Sequence, residues 1–284
     1  MKNIKDELTK IIEIALKEDE ALNDITSDLT IPDNHEIAFD IKSREQIILC
    51  GIDAVKICFD ILKSTPKFKN SKLQLKILAS DGSSVKRSKS IAKGVGNAKL
   101  IFAAERIILN TIQHLSGIST LTNKFVKTLN NKKTQILDTR KTTLGLRNLE
   151  KYAVVIGGGK NHRLNLSDMV LIKDNHIAAS GSIEEAISRA KKNAKGLKIE
   201  VECDNLRQVA KAIKSKPDII MLDNMKPSQI KKAKDIIKNS CKIEISGGIN
   251  LKNIKKYRNL DVDFISIGAI THSARSVDIG LDVI

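Results

Sequence analysis

The sequence contains no tryptophan, and aromatic residues make up only 3% of its 284 residues. The core must therefore consist mainly of Ile, Leu, Val and Ala, and a chain of this length can bury a large core. The formal charge of +16 suggests a nucleic-acid partner. Nucleic-acid sites usually combine basic residues with aromatic side chains that stack on bases, and that combination is absent here. Because the lysines are spread over the whole chain, we interpret the charge as that of solvated surfaces and expect no nucleic-acid partner.

The cysteines show no metal-binding or redox spacing. Cys50, Cys58, Cys203 and Cys241 form no C-x-x-C pair. Each lies in an apolar or strand-like context, which indicates buried free thiols in a reducing compartment.

The sequence also lacks long hydrophobic runs. No run approaches the roughly 20 residues of a membrane span. The N-terminal segment MKNIKDELTKIIEIALKEDEALND predicts an amphipathic helix and has neither the uninterrupted apolar region nor the cleavage site of a signal peptide. We therefore expect a cytoplasmic protein without a membrane partner.

From about residue 130 onward, short apolar runs alternate with helix-like stretches. The runs are TQILD (134–138), DMVLIKD (168–174), KIEVECD (198–204), DIIMLDN (218–224), KIEISGG (242–248) and DFISIGA (263–269). Short runs that are apolar on both faces and alternate with helices are typical of a parallel sheet covered by helices. This number of units favours a β/α barrel over an open doubly wound sheet.

The earlier part of the chain has a different pattern. Segments 36–51 and 72–87 alternate like strands, and helical stretches flank them, the last of which begins at residue 98. We interpret this part as a separate α+β layer and place a domain boundary near residues 105–115.

Polar residues follow the predicted strands, at the ends that face one shared mouth in a barrel. They are Asp138, Thr139, Arg140, Lys141, Lys173, Asp174, Asn175, His176, Glu200, Glu202, Asp204, Asp223, Asn224, Ser246, Gly247, Gly248, Gly268 and Ala269, with His162 and Arg163 in an additional segment at 157–165. Individually these residues could belong to solvated loops, helix caps or plain turns. Together they place cations, acids and a glycine pair on one face, which indicates a binding site.

The chemistry of these residues describes the ligands. Arg140, Arg163 and Lys173, with His162 beside them, suit carboxylates, and Lys141 suits a second anion. The backbone N–H groups around residues 246–248 and 268 suit a phosphate. Glu202 and Asp223 suit ribose hydroxyls, a divalent metal or a developing positive charge. The sequence therefore predicts a site for a polycarboxylate and a phosphorylated sugar.

The same segments, in the same order, resemble quinolinate phosphoribosyltransferase (nicotinate-nucleotide pyrophosphorylase, carboxylating) nearly from end to end. The matching segments are ALKEDEALNDITSDLTIP (15–32), AERIILNTIQHLSGISTLT (104–122), LDTRKTT (137–143), LEKYAVVIGGGKNHR (149–163), LIKDNH (171–176), VECDN (201–205), MLDNM (221–225), ISGGI (245–249) and IGAITHSA (267–274). One such segment is a modest signal, but the whole ordered set is specific.

The resemblance implies an α/β fold in two domains. An N-terminal α/β sandwich would comprise residues 1–108, with about 271–284 packing back on it. An incomplete, open β/α barrel of the type II phosphoribosyltransferase kind would comprise 109–270 and carry the active site. The implied reaction joins quinolinate to phosphoribosyl pyrophosphate with loss of CO2, in NAD biosynthesis. The implied assembly is a homodimer with a shared active site, and a higher oligomer stays open.

The resemblance also implies roles for individual residues. Quinolinate would be held by Arg106 of the neighbouring subunit and by Arg140, His162, Arg163 and Lys173. Phosphoribosyl pyrophosphate would be held by Lys141, Lys173, Glu202, Asp223, Ser246, Gly247, Gly248, Gly268 and Ala269. Among these, Lys141, Glu202 and Asp223 would be catalytic, and Glu202 and Asp223 would bind Mg2+, largely through the substrate.

Two positions depart from the family pattern. Asn23 stands where glycine is usual, and Leu144 where proline is usual. Two other functions are open alternatives: a homologue of the same fold associated with molybdenum transport, and a basic nucleic-acid-binding protein. The combination of LIKDNH with LDTRKTT favours the quinolinate enzyme over the first, and only the net charge supports the second.

Overall fold

The computed structural model describes residues 3–284 of the chain, which form two compact units. The first unit runs up to Asn123 and adds Thr143–Gly158 and Ser273–Ile284, and the second comprises Lys124–Thr142 and Gly159–His272. The helices are α1 (Ile4–Glu18), α2 (Ile25–Thr30), α3 (Asp53–Lys63), α4 (Ala98–Leu129), α5 (Arg147–Ile156), α6 (Asp174–Ser180), α7 (Ile183–Asn193), α8 (Leu206–Ala212), α9 (Pro227–Ile237) and α10 (Ala269–His272). The strands are β1 (Glu36–Ser43), β2 (Ile47–Ile48), β3 (Leu73–Ile77), β4 (Ser84–Val85), β5 (Ser90–Asn97), β6 (Gln135–Leu137), β7 (Val170–Ile172), β8 (Ile199–Cys203), β9 (Ile219–Asp223), β10 (Lys242–Ser246), β11 (Phe264–Ser266) and β12 (Ile279–Val283).

The predicted domain boundary between residues 108 and 109 and the division of the compact units after Asn123 both fall inside α4. This helix is continuous over 32 residues, so no loop separates the units at either point. Thr143–Gly158, which we had assigned to the barrel, belongs to the first unit, because α5 packs against α1.

The first unit combines helices with a four-stranded antiparallel sheet of order β12-β1-β5-β3. α1 buries Leu8, Ile12 and Leu16, which lie four residues apart and therefore on one face of the helix. It packs against α3. β12 pairs with β1, from Phe39 opposite Val283 to Ser43 opposite Ile279, so the residues after the second unit complete the sheet of the first.

We did not predict β5, although it lies inside this sheet. Gly94 and Gly96 lower the strand propensity of this segment, so the sequence pattern does not predict a strand there. Both glycines are required by close packing. A Cβ at Gly94 would lie 2.6 Å from the ring of Phe39, and one at Gly96 would lie 2.5 Å from the carbonyl oxygen of Lys72.

The second unit contains a six-stranded parallel sheet of order β6-β11-β10-β9-β8-β7. Each of the six predicted apolar runs contains one of these strands. β6 and β7 lie at the two ends of the order, so the sheet is an open barrel. The predicted fold class, an α/β chain with an N-terminal sheet domain and a partial barrel, is confirmed.

Register determines which side chains share a face of this sheet. Glu202 lies opposite Met221, Met221 opposite Glu244, and Asp223 opposite Ser246. These residues therefore lie on one face of the sheet. The residues two positions before or after them on each strand lie on the same face. The alternate residues form the other, apolar face, where Val201, Ile220, Leu222, Ile243 and Ile245 are buried.

Two further predictions concern the chain as a whole. The four cysteines are free, and only Cys241 is partly exposed. Among residues 3–284, none of the helices has both the length and the hydropathy that a membrane crossing requires.

Candidate active site

The predicted polar residues of the second unit meet in a cavity of about 460 Å³. They converge because parallel strands end at the same edge of the sheet, so the residues that follow each strand face a common space. The lining residues are Thr139, Arg140, Lys141, His162, Arg163, Leu171, Lys173, Glu202, Met221, Asp223, Ser246 and Ser266. Leu171 and Met221 give the cavity an apolar wall among charged groups.

Two arginines in this cavity have hydrogen-bond donors without acceptors. Arg163 is 9% exposed and donates through Nη1 to the carbonyl oxygen of Met169 at 3.2 Å. Its buried Nε and the buried Nε of Arg140 have no hydrogen-bond partner among the described residues. Burial, together with the positive charge of Arg140, lowers the pKa of Arg163. An anion between the two guanidinium groups would satisfy these donors and reduce the repulsion.

Lys173 forms an ion pair within the site. Its Nζ lies 2.8 Å from Oε2 of Glu202, whose side chain is 12% exposed. We predicted that Lys173 contacts a substrate carboxylate and that Glu202 contacts ribose or metal. The structure brings the two residues together, and the Lys173 ammonium and the Glu202 carboxylate neutralise each other's charge.

Three carboxylates, two of which line this cavity, form a candidate metal site. Oxygen atoms of Glu202, Asp204 and Asp223 lie within 4.8 Å of one another. Sets of carboxylate oxygens are the protein ligands that Mg2+ prefers, with water or substrate oxygens in the remaining positions. The residues present therefore fit the predicted metal. Asp204 had not been predicted as a ligand.

The predicted phosphate residues surround a second cavity, of about 450 Å³. Its lining residues are Thr139, Lys141, Asp223, Asn224, Ser246, Gly247, Gly248, Ile249, Asn250, Ser266, Ile267, Gly268, Ala269 and His272. Gly247 has φ +91°, and a Cβ there would lie 2.1 Å from Oδ1 of Asn224. Glycine is therefore needed at this turn for both its backbone conformation and its size.

Lys141 lines both cavities, as do Thr139, Asp223, Ser246 and Ser266. Its backbone is fixed on both sides. The N–H donates to Oγ1 of Thr139 at 3.1 Å, and the carbonyl oxygen accepts from Oγ1 of Thr271 at 2.7 Å. The ammonium group thus extends from an anchored backbone at the junction of the two cavities.

His162 has protein partners at both ring nitrogens. Nδ1 accepts the backbone N–H of Arg163 at 2.8 Å. Nε2 lies 2.9 Å from Oε2 of Glu200 and 3.5 Å from Oε1 of Glu244. Because Nδ1 accepts a hydrogen bond, the hydrogen-bond network assigns the ring proton to Nε2. We had predicted a substrate carboxylate as the partner of His162, whereas here its nitrogens bind the protein while the ring lines the cavity.

Our interpretation of the sequence missed the group beneath His162. Glu244 and Ser266 were not predicted, and Glu200 was noted at a strand end without a role. Burial raises the pKa of Glu200 to about 7 and that of Glu244 to about 8, the charge of Glu200 adding to the second shift. The sequence carried a signal for Glu244, because a lone glutamate within the apolar run KIEIS must be buried at a cost unless it has a partner.

Arg106 belongs to the first unit and not to the cavity residues of the second. Its side chain is 61% exposed and pairs with Glu105 at 2.9 Å. The predicted role of Arg106 requires a second subunit, and it stays a prediction.

Comparison with known families matches almost the whole chain. The family model described as "Quinolinate phosphoribosyl transferase, N-terminal domain" matches residues 24–116. The model for the C-terminal domain of the same family matches residues 118–282.

Individual relatives match over similar lengths. The chain is 43% identical to a probable nicotinate-nucleotide pyrophosphorylase [carboxylating] of Methanocaldococcus jannaschii, and the match covers 99% of each chain. It is 38% identical to a protein of the same description from Bacillus subtilis, over 98% of this chain and 93% of the relative. Among solved structures, the nicotinate-nucleotide pyrophosphorylase of Ehrlichia chaffeensis superposes with a TM-score of 0.91 at 43% identity, covering 97% of this chain and 98% of the other.

Proposed function

Because this chain belongs to the quinolinate phosphoribosyltransferase family, we propose that it transfers phosphoribosyl from phosphoribosyl pyrophosphate to quinolinate. The reaction releases pyrophosphate and CO2 and yields nicotinate mononucleotide for NAD biosynthesis. The match of both family domains and the activity named for relatives 36–43% identical to the chain support this assignment.

The arrangement of the two cavities is the observation that carries the proposal. The first combines cations with an apolar wall, which suits the carboxylates and aromatic ring of quinolinate. The second is lined by glycines and suits a 5′-phosphate. Lys141, which lines both, is suited to the pyrophosphate that must leave between them.

Quinolinate binding would use the unpaired donors of Arg140 and Arg163. Each charge-assisted hydrogen bond to a carboxylate contributes roughly 1.5–3 kcal/mol, and a guanidinium can bind both oxygens. Leu171 and Met221 would contact the ring, whose nitrogen must point toward the second cavity to react.

The first chemical step breaks the bond between ribose C1 and the pyrophosphate oxygen, and pyrophosphate takes the electron pair. Lys141 neutralises charge on the leaving group, and Glu202 and Asp223 stabilise the positive charge that develops on the ribose ring. Glu202, Asp204 and Asp223 would hold Mg2+, which when bound supplies further charge neutralisation for pyrophosphate. The quinolinate nitrogen forms the new bond to C1.

Decarboxylation follows from the charge of the alkylated ring. The ring nitrogen is now positive, so the electron pair of the adjacent carbon–carboxylate bond can remain on the ring as CO2 departs. Solvent then supplies a proton to that ring carbon. The protein contributes position and electrostatics, and no side chain need act as an acid or base in this step.

The proposal includes a homodimer in which Arg106 of one subunit completes the quinolinate site of the other. The position of Arg106 within a segment that matches the family, and its exposure, support this role. The cytoplasmic location stays a prediction from the sequence.

A turnover assay tests the proposed reaction. Quinolinate labelled in the carboxyl group next to the ring nitrogen should release labelled CO2 only when phosphoribosyl pyrophosphate and Mg2+ are both present. Nicotinate, which lacks that carboxylate, is the matched control substrate and should give no nucleotide. Absence of label release under these conditions, or equal use of nicotinate, would refute the assignment.

A further inference from the structure

A buried polar cluster lies beneath the first cavity and has no role in the proposed reaction. Glu200 of β8 is 0% exposed and Glu244 of β10 is 1% exposed. They precede Glu202 and Ser246, which line the cavity, by two residues on the same face of each strand. Since a strand rises about 3.3 Å per residue, the glutamates start about 7 Å deeper in the sheet.

Two carboxyl groups at this depth need partners within the protein. Nε2 of His162 lies 2.9 Å from Glu200 and 3.5 Å from Glu244, and Oγ of Ser266 donates to Glu244. The ring of His162 is therefore held from below by side chains of two strands.

The cluster also holds the turn that carries Arg163. Nδ1 of His162 accepts the backbone N–H of Arg163 at 2.8 Å. The backbone N–H of His162 donates to Oδ1 of Asp138 at 2.9 Å, and Asn161 donates to Oδ2 of the same carboxylate at 2.6 Å. The turn is thus fixed at three successive residues, of which only the last presents a cation to the cavity.

The position of this cation determines whether it can recognise a carboxylate. A guanidinium binds both carboxylate oxygens only when its plane and direction match them. Arg163 reaches the cavity with its Nε unpaired and its Nη1 held by Met169, so its backbone position sets where the guanidinium points.

We propose that Glu200 and Glu244 are positioning residues, which act through His162 to direct the guanidinium of Arg163 at a carboxylate of the substrate. This inference rests on the proposed function for the identity of that substrate. It assigns His162 a role in orienting Arg163 in place of direct contact with the ligand through a ring nitrogen.

Two substitutions of Glu244 separate positioning from simple structural support. Glu244→Gln retains an acceptor for Ser266 and a polar oxygen close to Nε2 of His162, which Glu244 approaches to 3.5 Å, whereas Glu244→Met has a similar length and neither. Misplacement of a binding group by about 1 Å can cost up to about 100-fold, so Glu244→Met should raise the KM for quinolinate about 10- to 100-fold. The KM for phosphoribosyl pyrophosphate should change much less, and Glu244→Gln should restore a quinolinate KM close to that of the wild type.

Ile245→Val is the matched control, since Ile245 is the next residue of β10 and is buried on the opposite face. It should lower thermal stability without changing either KM. Two outcomes would refute the positioning role. Glu244→Met could lower only kcat, as a smaller amount of folded enzyme would, or it could raise both KM values equally, as a general distortion of the site would.

A spectroscopic measurement tests the cluster independently of activity. Long-range ¹H–¹⁵N spectra of the full chain, with the His162 signals identified by their loss in His162→Gln, should show a neutral ring protonated at Nε2. Glu244→Met should shift these signals, whereas Ile245→Val should not. A ring protonated at Nδ1 in the wild type would overturn the inference even if quinolinate is turned over. Conversely, if the spectrum is as expected but quinolinate is not turned over, the proposed function is refuted. The role of Glu244 in fixing His162 would then still be supported.

Discussion

Gly247 and Gly248 are adjacent in the second cavity, yet alanine at the two positions should have very different effects. Both have positive φ, +91° and +63°, but only Gly247 is in close contact with another residue. A Cβ at Gly248 would meet no atom within 4 Å. Left-handed backbone costs an alanine about 1–2 kcal/mol, and reduced freedom of the unfolded chain offsets about 0.4–1 kcal/mol of this. Gly248→Ala should therefore lower the free energy of unfolding by about 1 kcal/mol.

At Gly247, steric overlap adds to this backbone cost. The new Cβ would lie 2.1 Å from Oδ1 and 2.8 Å from the backbone nitrogen of Asn224. A side-chain rotation cannot relieve the second contact, and forced backbone shifts cost typically about 1–3 kcal/mol. The total loss for Gly247→Ala should be about 2–4 kcal/mol. Because Asn224 donates to the carboxylate of Asp223, the shift should also disturb a predicted ribose ligand.

Urea unfolding and steady-state kinetics measure both effects. Gly247→Ala should show the larger loss of stability and a raised KM for phosphoribosyl pyrophosphate, and Gly248→Ala is the control for positive φ in the unfolding measurement. Equal destabilisation by the two substitutions, or a greater effect at Gly248, would contradict the assignment of the close contact to Gly247.

Three further predictions concern the charged groups. If Arg106 acts across a dimer, mixing the inactive variants Arg106→Ala and Lys141→Ala should recover part of the activity, and verified heterodimers without any activity would exclude a shared site. The effects of Lys173→Met and Glu202→Gln on kcat/KM should be non-additive by about 0.5–3 kcal/mol in the double variant, because the two side chains pair at 2.8 Å. Strictly additive effects would mean that the pair is not maintained in the working enzyme. Burial raises the pKa of Glu244 from its ordinary value of 4.5 to about 8, so the folded chain binds an extra proton between these values and stability should fall as pH rises from about 4.5 to about 8. Glu244→Gln should flatten that fall in pH-dependent urea unfolding, and an unchanged slope would show that Glu244 does not titrate in this range.

Much of the second unit could be predicted because its strands are short apolar runs buried on both faces. The polar residues after them could be predicted to converge, since strand ends in a parallel sheet share an edge. Lys141 illustrates the limit of this reasoning. Its location at a strand end follows from the sequence, but its place between two cavities depends on how the loops after β6, β10 and β11 pack.

Other features depended on contacts between residues distant in the sequence. β5 contains two glycines because the ring of Phe39 and the backbone near Lys72 leave no room for a side chain. Neither contact can be read from the sequence around β5. The partners of His162 come from β8 and β10, so no motif around His162 could reveal them. Arg106 was identified through family resemblance alone, because on its own helix it is an ordinary exposed cation.

The pairing of β12 with β1 has a consequence for the order of folding. Phe39 and Val283 are neighbours in the sheet, although the entire second unit is encoded between them. During synthesis the first unit therefore cannot complete its sheet until the ribosome has translated the second. Because β12 is synthesised last, β1 should expose an unpaired edge for much of translation. Such non-local pairing also slows folding. The second unit, whose described strands pair with one another, can fold earlier than the first unit, whose last strand is synthesised after it.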